Sequence, residues 1–364
     1  MRTAPQTRIR TASFLRLDFS WTGNPRPLPH RLLDAAGRPV LSIPSASFST
    51  VFAPPFHLSP PPTLPIRLHS GNGAHLDPQR LSRPMPPLNR ALVLEGGGMK
   101  GAYCNGVLSS FEEAGYRPWD AVYGASAGGA LAAWYSAGQA VYAEGTWAYA
   151  RDPRILSYTR FVTKRGPLLD HDGLIDIVYA KEHPLDLEAL ARSPHPVVVV
   201  ATDVRTGKAH YQDIRHGEAL QWLKATGRLP FASGDPVPVA GRHYLDGGIA
   251  DPIPVRKAAA DGHSSITLVL NSVGEPRRDN PVLAKMTARR WPALREGILG
   301  HDERKRESVA WAESPAAGAR VRIIRPAKPT GLHRLSRDME AIRKGIEQGR
   351  KDGRRFMSRV EGGA

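Results

Sequence analysis

The sequence predicts an α/β fold in which helices cover both faces of a mostly parallel sheet, and two observations lead to this prediction. From residue 89 onward, short apolar runs that suit strands alternate with segments whose apolar residues recur at helical spacing. Two of the runs, residues 197–201 and 266–270, are continuous and β-branched, as in strands buried on both faces. Strands and helices in alternation are typical of a three-layer sandwich.

The first two strands and helices can be placed one by one. Residues 91–95 form an apolar run that ends in glycines, and a helical pattern follows over residues 101–114. Residues 121–123 form a second run, and the small-residue stretch 127–137 after it predicts a buried helix. Each strand is therefore joined to its helix by a glycine-rich turn.

Composition divides the chain into three regions. Residues 1–88 contain no Lys and no Glu, but they carry ten Arg and sixteen of the 33 prolines. Because proline removes backbone donors and breaks helices, we expect this extension to be disordered; alternatively, Met85 is the true start and the preceding residues are an annotation artefact. Residues 89–275 are predicted to form the core domain, and residues 276–364 a helical region that packs on it.

The C-terminal region contains one clear amphipathic helix. Leu335, Met339, Ile342, Ile346 and Gly349 recur at spacings of four and three, which places them on one helix face. We expect this face to pack against the core. The alternative is a basic amphipathic helix that lies on an anionic membrane surface.

Charge and cysteine content limit the partners and cofactors. The net charge of +16 permits attraction to nucleic acid or anionic lipid, but the basic residues are scattered as on a solvated surface, and we expect no nucleic-acid partner. A single cysteine, Cys104, excludes an intrachain disulfide and a zinc site built from several thiolates. No metal-ligand cluster or calcium-loop motif stands out, so no cofactor or metal is expected. No run approaches the roughly 18 apolar residues of a membrane span, so we expect a cytoplasmic protein whose membrane contact is peripheral.

The first chemical motif contains a serine. Gly124-Ala-Ser126-Ala-Gly128 matches G-x-S-x-G, a tight turn that lifts the serine hydroxyl clear of the backbone. The motif lies between a predicted strand and a predicted helix, and the helix N-terminus favours negative charge near the serine. Ser126 is therefore the candidate nucleophile.

The second motif, Gly96-Gly97-Gly98-Met-Lys100-Gly101, lies about thirty residues earlier, again between a strand and a helix. A glycine turn presents backbone N–H groups, which in a hydrolase hold the charge that develops on the carbonyl oxygen. We expect an oxyanion hole at Gly96 to Gly98, with Gly97 and Gly98 as leading donors. Lys100 is interpreted as a solvated side chain, or as a contact for anionic headgroups.

The same hexapeptide also fits G-x-G-x-x-G, so a dinucleotide-binding fold is the main alternative. That fold needs an acidic residue about 20 positions further on, at the carboxyl end of the second strand. Asp120 has nearly the right spacing, but it precedes the second strand instead of following it. The alternative also leaves Ser126 without a role.

The third motif is Asp246-Gly247-Gly248. A carboxylate beside two glycines can approach another loop closely, and it offers the acceptor that a serine nucleophile needs. Taken alone, the motif also fits an ordinary Asp-Gly hairpin turn. Two histidines, His171 and His243, are candidates for an additional partner of the serine, but we expect both to be structural.

The order of these three motifs resembles that of the patatin-like phospholipases, and the resemblance extends over residues 89–275. Residues 223–230 look like that family's helix and loop before its catalytic aspartate. Residues 201–208 are similar to a segment that bacterial members place after a central strand.

The resemblance implies a patatin-like fold and a lipid acyl hydrolase that acts through an acyl-enzyme intermediate. It implies a Ser126-Asp246 dyad without histidine, with the oxyanion glycines within Gly96 to Gly98, and a lipid or acyl-ester substrate. The remaining motif glycines are Gly101, Gly124, Gly128, Gly247 and Gly248. A dinucleotide-dependent enzyme and a catalytically silent lipid- or partner-binding module remain the alternatives.

Overall fold

The computed structural model describes residues 89–273, 281–315 and 319–361. The predictions for residues 1–88, both disorder and a start at Met85, lie outside the described residues. The described part contains one eight-stranded sheet. Its strands are β1 Arg90–Leu94, β2 Ala121–Ala125, β3 Val197–Asp203, β4 Ala209–Asp213, β5 Val237–Val239, β6 Arg242–Asp246, β7 Ser265–Val269 and β8 Arg320–Ile324.

The sheet is parallel through its centre. Its strand order is β5-β6-β3-β2-β1-β7-β8, where β6 and β2 pair with successive parts of one edge of β3, and β4 pairs with the other edge. The five strands β3, β2, β1, β7 and β8 run in one direction, whereas β4 and β6 pair antiparallel with β3, and β5 with β6. The predicted mostly parallel sheet is therefore confirmed, with antiparallel strands added at one side.

Helices connect most of these strands. The α-helices are α1 Gly101–Glu113, α2 Ala127–Ser136, α3 Ala140–Ala143, α4 Tyr158–Val162, α5 His171–Gly173, α6 Leu187–Ala191, α7 Ala219–Thr226, α8 Val255–Ala260, α9 Pro281–Arg290, α10 Arg295–Leu299, α11 His301–Glu313 and α12 Met339–Glu361. Shorter 3-10 segments span Gly98–Lys100, Glu144–Arg151, Gly247–Ile249 and Pro292–Leu294, and a π-helix spans Leu174–Glu182. Among the described residues, none of the helices has the length and apolar character needed to cross a bilayer.

The two faces of the sheet are covered by separate cores, and β1 shows why. Its side chains alternate in direction, as in any strand. Leu92 and Leu94 join a core that includes side chains of α1 and α2, whereas Ala91 and Val93 join a second core with side chains of α8 and α11. The predicted three-layer sandwich is therefore confirmed.

The long helix α12 packs along α1, with the predicted apolar face turned inward from Met339 onward, whereas Leu335, predicted on the same face, lies in a turn before the helix begins. Ile342 and Ile346 are buried. A Cβ added to Gly106 of α1 would collide with the carbonyl oxygen of Ile346, and one added to Gly349 would collide with that of Tyr103. Glycine at these two positions lets the helix backbones approach closely, so the protein itself covers the apolar face of α12.

The C-terminal region is not only helical, because β8 extends the sheet beside β7 in parallel. Its sequence alternates between arginine and aliphatic residues before it ends in two isoleucines, and its burial is mostly intermediate. Such a half-exposed edge strand lacks the uninterrupted apolar run that identifies the central strands. For that reason β8 is not predicted from the sequence.

Candidate active site

The G-x-S-x-G motif forms a strained turn at the end of β2. Ser126 precedes α2 with φ 54° and ψ −128°, a backbone conformation that side-chain-bearing residues rarely adopt. A Cβ at Gly124 would collide with the carbonyl oxygen of Gly128, and one at Gly128 would lie 2.5 Å from that of Leu94. Both flanking positions therefore require glycine, and the turn predicted from the sequence is present.

A hydrogen-bonded threonine holds this turn in place. The backbone N–H of Ser126 donates to Oγ1 of Thr226 at 2.9 Å, and that hydroxyl donates to the carbonyl oxygen of Val200 at 2.5 Å. Thr226 is the last residue of α7, inside the segment 223–230 that the resemblance to the family had indicated. The serine turn is thereby tied to both α7 and β3.

The sheet topology brings the serine and the aspartate together. Because β4 occupies one edge of β3, β2 and β6 must share the other edge, and they run towards each other. β2 ends with Ala125 opposite Val200, and β6 ends with Asp246 opposite the next residue, Ala201. The carboxyl ends of the two strands therefore meet, and Oγ of Ser126 donates to Oδ2 of Asp246 at 2.7 Å.

The D-G-G motif continues from β6 into a 3-10 helix, so the hairpin-turn alternative is wrong. The second carboxylate oxygen of Asp246, Oδ1, accepts the N–H of Gly248 at 2.7 Å. The backbone N–H of Asp246 donates to the carbonyl oxygen of Arg228 at 2.8 Å. A Cβ at Gly247 would collide with the carbonyl oxygen of Val200, so glycine is required where the chain leaves β6.

Burial changes the acidity of this aspartate. Asp246 is only 4% exposed, and its burial raises the pKa of the carboxyl group to about 6. Hydrogen bonds from Ser126 and Gly248 and the positive charge of Arg334 oppose this rise. At neutral pH the carboxylate is therefore ionised, while its pKa is close enough to neutral pH for proton transfer.

The glycine loop after β1 places amide groups in the same cavity. Gly97 has φ 145° and Gly98 has φ 55°, both in the left-handed region that favours glycine. The N–H of Gly96 faces the carbonyl oxygen of Pro252 at 3.5 Å. Within the described part of the chain, the amides of Gly97 and Gly98 donate to no protein acceptor. Because their amides are not used by the described part of the protein, Gly97 and Gly98 remain the leading candidates for oxyanion donors.

The last motif glycine, Gly101, begins α1 in a crowded position. A Cβ there would lie 3.1 Å from the ring of Trp147 and 3.3 Å from the side chain of Ala127. Glycine therefore lets α1 start close to the first turn of α2. The two helices that follow the glycine loop and the serine turn are packed together at this point.

A buried acidic residue anchors the glycine loop to distant parts of the chain. Glu95 lies at the end of β1 and forms an ion pair with Lys305 of α11, and both side chains are buried. Its Oε2 accepts the N–H of Asn271 at 2.6 Å, and the side-chain amide of Asn271 donates to the carbonyl oxygens of Glu95 and Gly96 at 2.9 and 3.3 Å. The loop therefore starts from a fixed position.

A histidine and an arginine connect the D-G-G turn with the glycine loop. Nδ1 of His301 contacts the carbonyl oxygen of Gly248 at 2.7 Å, and Nη2 of Arg334 contacts Nε2 of His301 at 2.8 Å. Because a carbonyl only accepts and a guanidinium only donates, these partners indicate the neutral Nδ1–H tautomer. The carbonyl oxygen of Arg334 also accepts the N–H of Met99 at 3.1 Å.

His301, Lys305 and Arg334 are together called the C-terminal clamp. None of the three is predicted from the sequence, because they lie far beyond the motifs and in no pattern that marks a site. His243, by contrast, is exposed on β6, and His171 is buried in the cavity wall. Burial lowers the pKa of His171 to about 3, so its ring is neutral at physiological pH.

Ser126, Asp246 and the glycine loop open into one cavity of about 410 Å³. Such a volume is typical of a small-molecule site. Most of the wall is apolar, including Leu131, Trp134, Ile155, Leu169, Ile175 and Leu223. In the described residues, no group of three or more His, Cys, Asp or Glu side chains is arranged to hold a metal ion. The cavity therefore joins a polar corner with the Ser126-Asp246 contact to a long apolar surface.

The position of Asp120 argues against the dinucleotide-binding alternative. Oδ2 of Asp120 accepts the backbone N–H of Arg90 at 2.7 Å, at the amino ends of β2 and β1. The glycine loop and Ser126 lie at the carboxyl ends of the same strands. Asp120 is therefore at the wrong end of the sheet to contact a ligand bound at the glycine loop.

The chain thus combines an α/β sandwich with a serine-carboxylate contact beside a glycine loop, and comparisons with known proteins identify its family. The family model for patatin-like phospholipases matches residues 92–259. The uncharacterized protein YjjU of Escherichia coli is 30% identical over 288 residues, which cover 76% of this chain and 80% of that protein. The chain belongs to the patatin-like phospholipase family, a family of lipid acyl hydrolases.

Two further similarities were found. An uncharacterized NTE family protein of Mycobacterium tuberculosis is 30% identical over 192 residues, which cover 52% of this chain and 51% of that protein. The crystal structure of VipD from Legionella pneumophila aligns over 75% of this chain and 67% of that chain, with 13% identity and a TM-score of 0.36. A similarity at this TM-score carries no argument about function.

Proposed function

We propose that this protein hydrolyses carboxylic esters of lipids, with Ser126 as the nucleophile and Asp246 as its base. The observation that carries the proposal is the 2.7 Å contact between Oγ of Ser126 and Oδ2 of Asp246 in a buried corner of the cavity. A hydroxyl that donates directly to a carboxylate has an acceptor for the proton it loses on attack. The raised pKa of Asp246 suits that role.

Catalysis begins when Oγ of Ser126 attacks the ester carbonyl and its proton passes to Asp246. The amides of Gly97 and Gly98, and that of Gly96 if it leaves Pro252, stabilise the oxyanion. Collapse of the intermediate breaks the bond to the alcohol, which leaves with the proton from Asp246. An acyl-enzyme on Ser126 remains.

Water then attacks the acyl-enzyme while Asp246 accepts one of its protons. The same amides stabilise the second oxyanion, and release of the carboxylic acid returns the proton to Ser126. The apolar wall of the cavity suits an acyl chain, because burial of methylene groups there is favourable by about 0.8 kcal/mol each. We expect neither a metal nor an organic cofactor to take part in this cycle.

Substitution of each residue of the pair tests the proposal. With p-nitrophenyl acyl esters of increasing chain length, we expect Ser126→Ala to abolish turnover and Asp246→Asn to lower kcat by about a hundredfold to ten-thousandfold. Ser358→Ala is the matched control, since Ser358 is exposed on α12, far along the chain from the motifs. Turnover that survives in Ser126→Ala, or an inactive parent protein at every chain length, contradicts the proposal.

A further inference from the structure

A short protruding segment adjoins the catalytic cavity. Leu156 and Leu169 form an isolated antiparallel bridge, and both side chains line the cavity. The chain between them, residues 157–168, leaves the cavity wall, forms α4 and returns to the same wall. We call this segment the rim hairpin. Any surface that contacts it is brought next to the cavity.

The rim hairpin exposes large apolar side chains. Tyr158 is 47% exposed, Phe161 44% and Val162 77%, and the value for Val162 is the highest among the large apolar side chains whose exposure the structure describes. Three such residues within five positions form a local apolar patch, whereas single exposed apolar residues are common on any protein. The patch is therefore a candidate contact surface.

The hairpin is held firmly although its tip is exposed. The guanidinium of Arg160 reaches back to the neck, donating from Nε to the carbonyl oxygen of Pro167 and from Nη1 to that of Arg154, both at 2.9 Å. The backbone N–H of Ser157 donates to the carbonyl oxygen of Leu168 at 2.9 Å. Both arms are thus joined by hydrogen bonds, and the apolar tip is presented by an ordered element.

The charge of the hairpin identifies the partner. Residues 157–168 contain Arg160, Lys164 and Arg165 and no acidic residue, and both Lys164 and Arg165 are exposed beside the apolar tip. Apolar side chains flanked by cations suit the boundary between the headgroups and acyl chains of an anionic bilayer. A symmetric contact with a second copy of the chain would instead place these like charges against each other.

The outward face of α12 is also basic, but unlike the rim hairpin it has no apolar patch in the part that the structure describes. It exposes cations such as Lys351, Arg354 and Arg359. Among its described residues, however, it exposes no large apolar side chain. Its cations favour an anionic surface, but α12 has nothing to insert into the acyl region, so the rim hairpin is the better docking element.

We propose that the rim hairpin docks the protein on the surface of an anionic lipid bilayer. Tyr158, Phe161 and Val162 enter the headgroup and acyl boundary, while Lys164 and Arg165 contact the anionic headgroups. The cavity then opens next to the lipid that it takes up. This inference rests on the proposed function, since it concerns how the lipid substrate reaches Ser126.

Vesicle flotation in the Ser126→Ala protein tests docking without hydrolysis of the vesicles. We expect binding to vesicles of phosphatidylcholine mixed with phosphatidylglycerol, and weaker binding to phosphatidylcholine alone. The double change Phe161→Ser and Val162→Ser should lower the partition coefficient at least about tenfold on the mixed vesicles. The double change Lys164→Gln and Arg165→Gln should lower it about fivefold per charge, and this loss should shrink at high salt.

Two controls make the result specific to the hairpin. Leu187→Ser removes an apolar side chain about as exposed as Phe161, on α6 and away from the cavity lining. The pair Lys351→Gln and Arg359→Gln removes two charges from α12. Both controls should bind vesicles like the parent. The proposal is overturned if the hairpin variants bind vesicles like the parent, or if the controls lose as much binding as the hairpin variants. It is also overturned if light scattering shows a dimer that the hairpin variants dissociate.

A soluble substrate separates this proposal from the proposed function. With Ser126 intact, the hairpin variants should hydrolyse a short p-nitrophenyl ester at the parent rate, because that substrate reaches the cavity from water. If the hairpin variants also hydrolysed this substrate more slowly, the changes would have damaged the site itself. That result would overturn the proposal that they act by weakening docking. Failure of the proposed function shows separately, as turnover that persists in Ser126→Ala.

Discussion

The region matched by the family model and the C-terminal region contribute different things to the same cavity. Residues 92–259 supply Ser126, Asp246 and the glycine loop. The C-terminal clamp comes from α11 and from the segment before α12, outside that match. It contacts the backbone and side chains that hold the glycine loop and the D-G-G turn. The first region provides the proposed reacting groups, and the second holds the loops that carry them.

This difference shows which parts of a site follow from local sequence. The motif residues lie directly at strand ends, so a short pattern of glycines and one polar residue defines their geometry. The clamp residues act over long separations, such as the 53 residues between His301 and Gly248. Their positions depend on how α11 packs against the sheet, which no short pattern encodes.

The largest expected effect concerns the ion pair between the two regions. Lys305→Met leaves the buried carboxylate of Glu95 without its cation, and we expect a loss of about 3–5 kcal/mol in the free energy of unfolding, measured by urea denaturation. Arg325→Met is the control, since its pair with Glu313 is exposed and worth at most about 1 kcal/mol. Equal losses in the two variants would show that the clamp does not anchor β1.

The next effect tests the point where the glycine loop meets the clamp. A Cβ at Gly98 would lie 2.5 Å from the carbonyl oxygen of Arg334, so Gly98→Ala must displace the loop and its amides. We expect kcat for a p-nitrophenyl ester to fall by about a hundredfold to a thousandfold, as when an oxyanion donor is lost. Gly241→Ala shares the positive φ but has open space around it, and it should keep full activity. Comparable rates in both variants would contradict the role of the loop.

The smallest effect concerns the charge that the clamp places near the aspartate. The positive charge of Arg334 lowers the pKa of Asp246, so Arg334→Met should raise that pKa and move the acid limb of kcat/KM to higher pH. The proposed reaction needs the ionised carboxylate, so we expect activity to be lost as the pH falls through the pKa, and at a higher pH in the variant. We expect the midpoint of the acid limb to shift by less than the about 1–3 units that a direct ion pair causes. A midpoint that is unchanged or lowered in Arg334→Met would contradict this prediction.

Much of the fold could be predicted because the central strands are uninterrupted apolar runs. The residues of β1, β2, β3 and β7 were placed to within a few positions, and so were α1 and α2. The edge strand β8 was missed because its arginines interrupt the apolar pattern. Long-range contacts such as Thr226 with Ser126 were not predictable from spacing, since they depend on how α7 lies across β3.

The serine and aspartate were predicted as partners from motif order and family resemblance, and not from topology. They meet because β6 runs antiparallel along the part of the β3 edge that lies beyond the end of β2. The sequence pattern does not reveal this pairing. The two motif residues follow from local chemistry. The arrangement that joins them follows from the whole sheet.

Labelling with a fluorophosphonate tests the central claim most directly, because the probe reacts with an activated serine. Peptide mapping by mass spectrometry should place the adduct on Ser126, and the labelling rate should fall as the pH is lowered through about 6, where Asp246 becomes protonated. The rate should also fall at least about a hundredfold in Asp246→Asn. An adduct on another serine, or a labelling rate that Asp246→Asn leaves unchanged, would contradict the account.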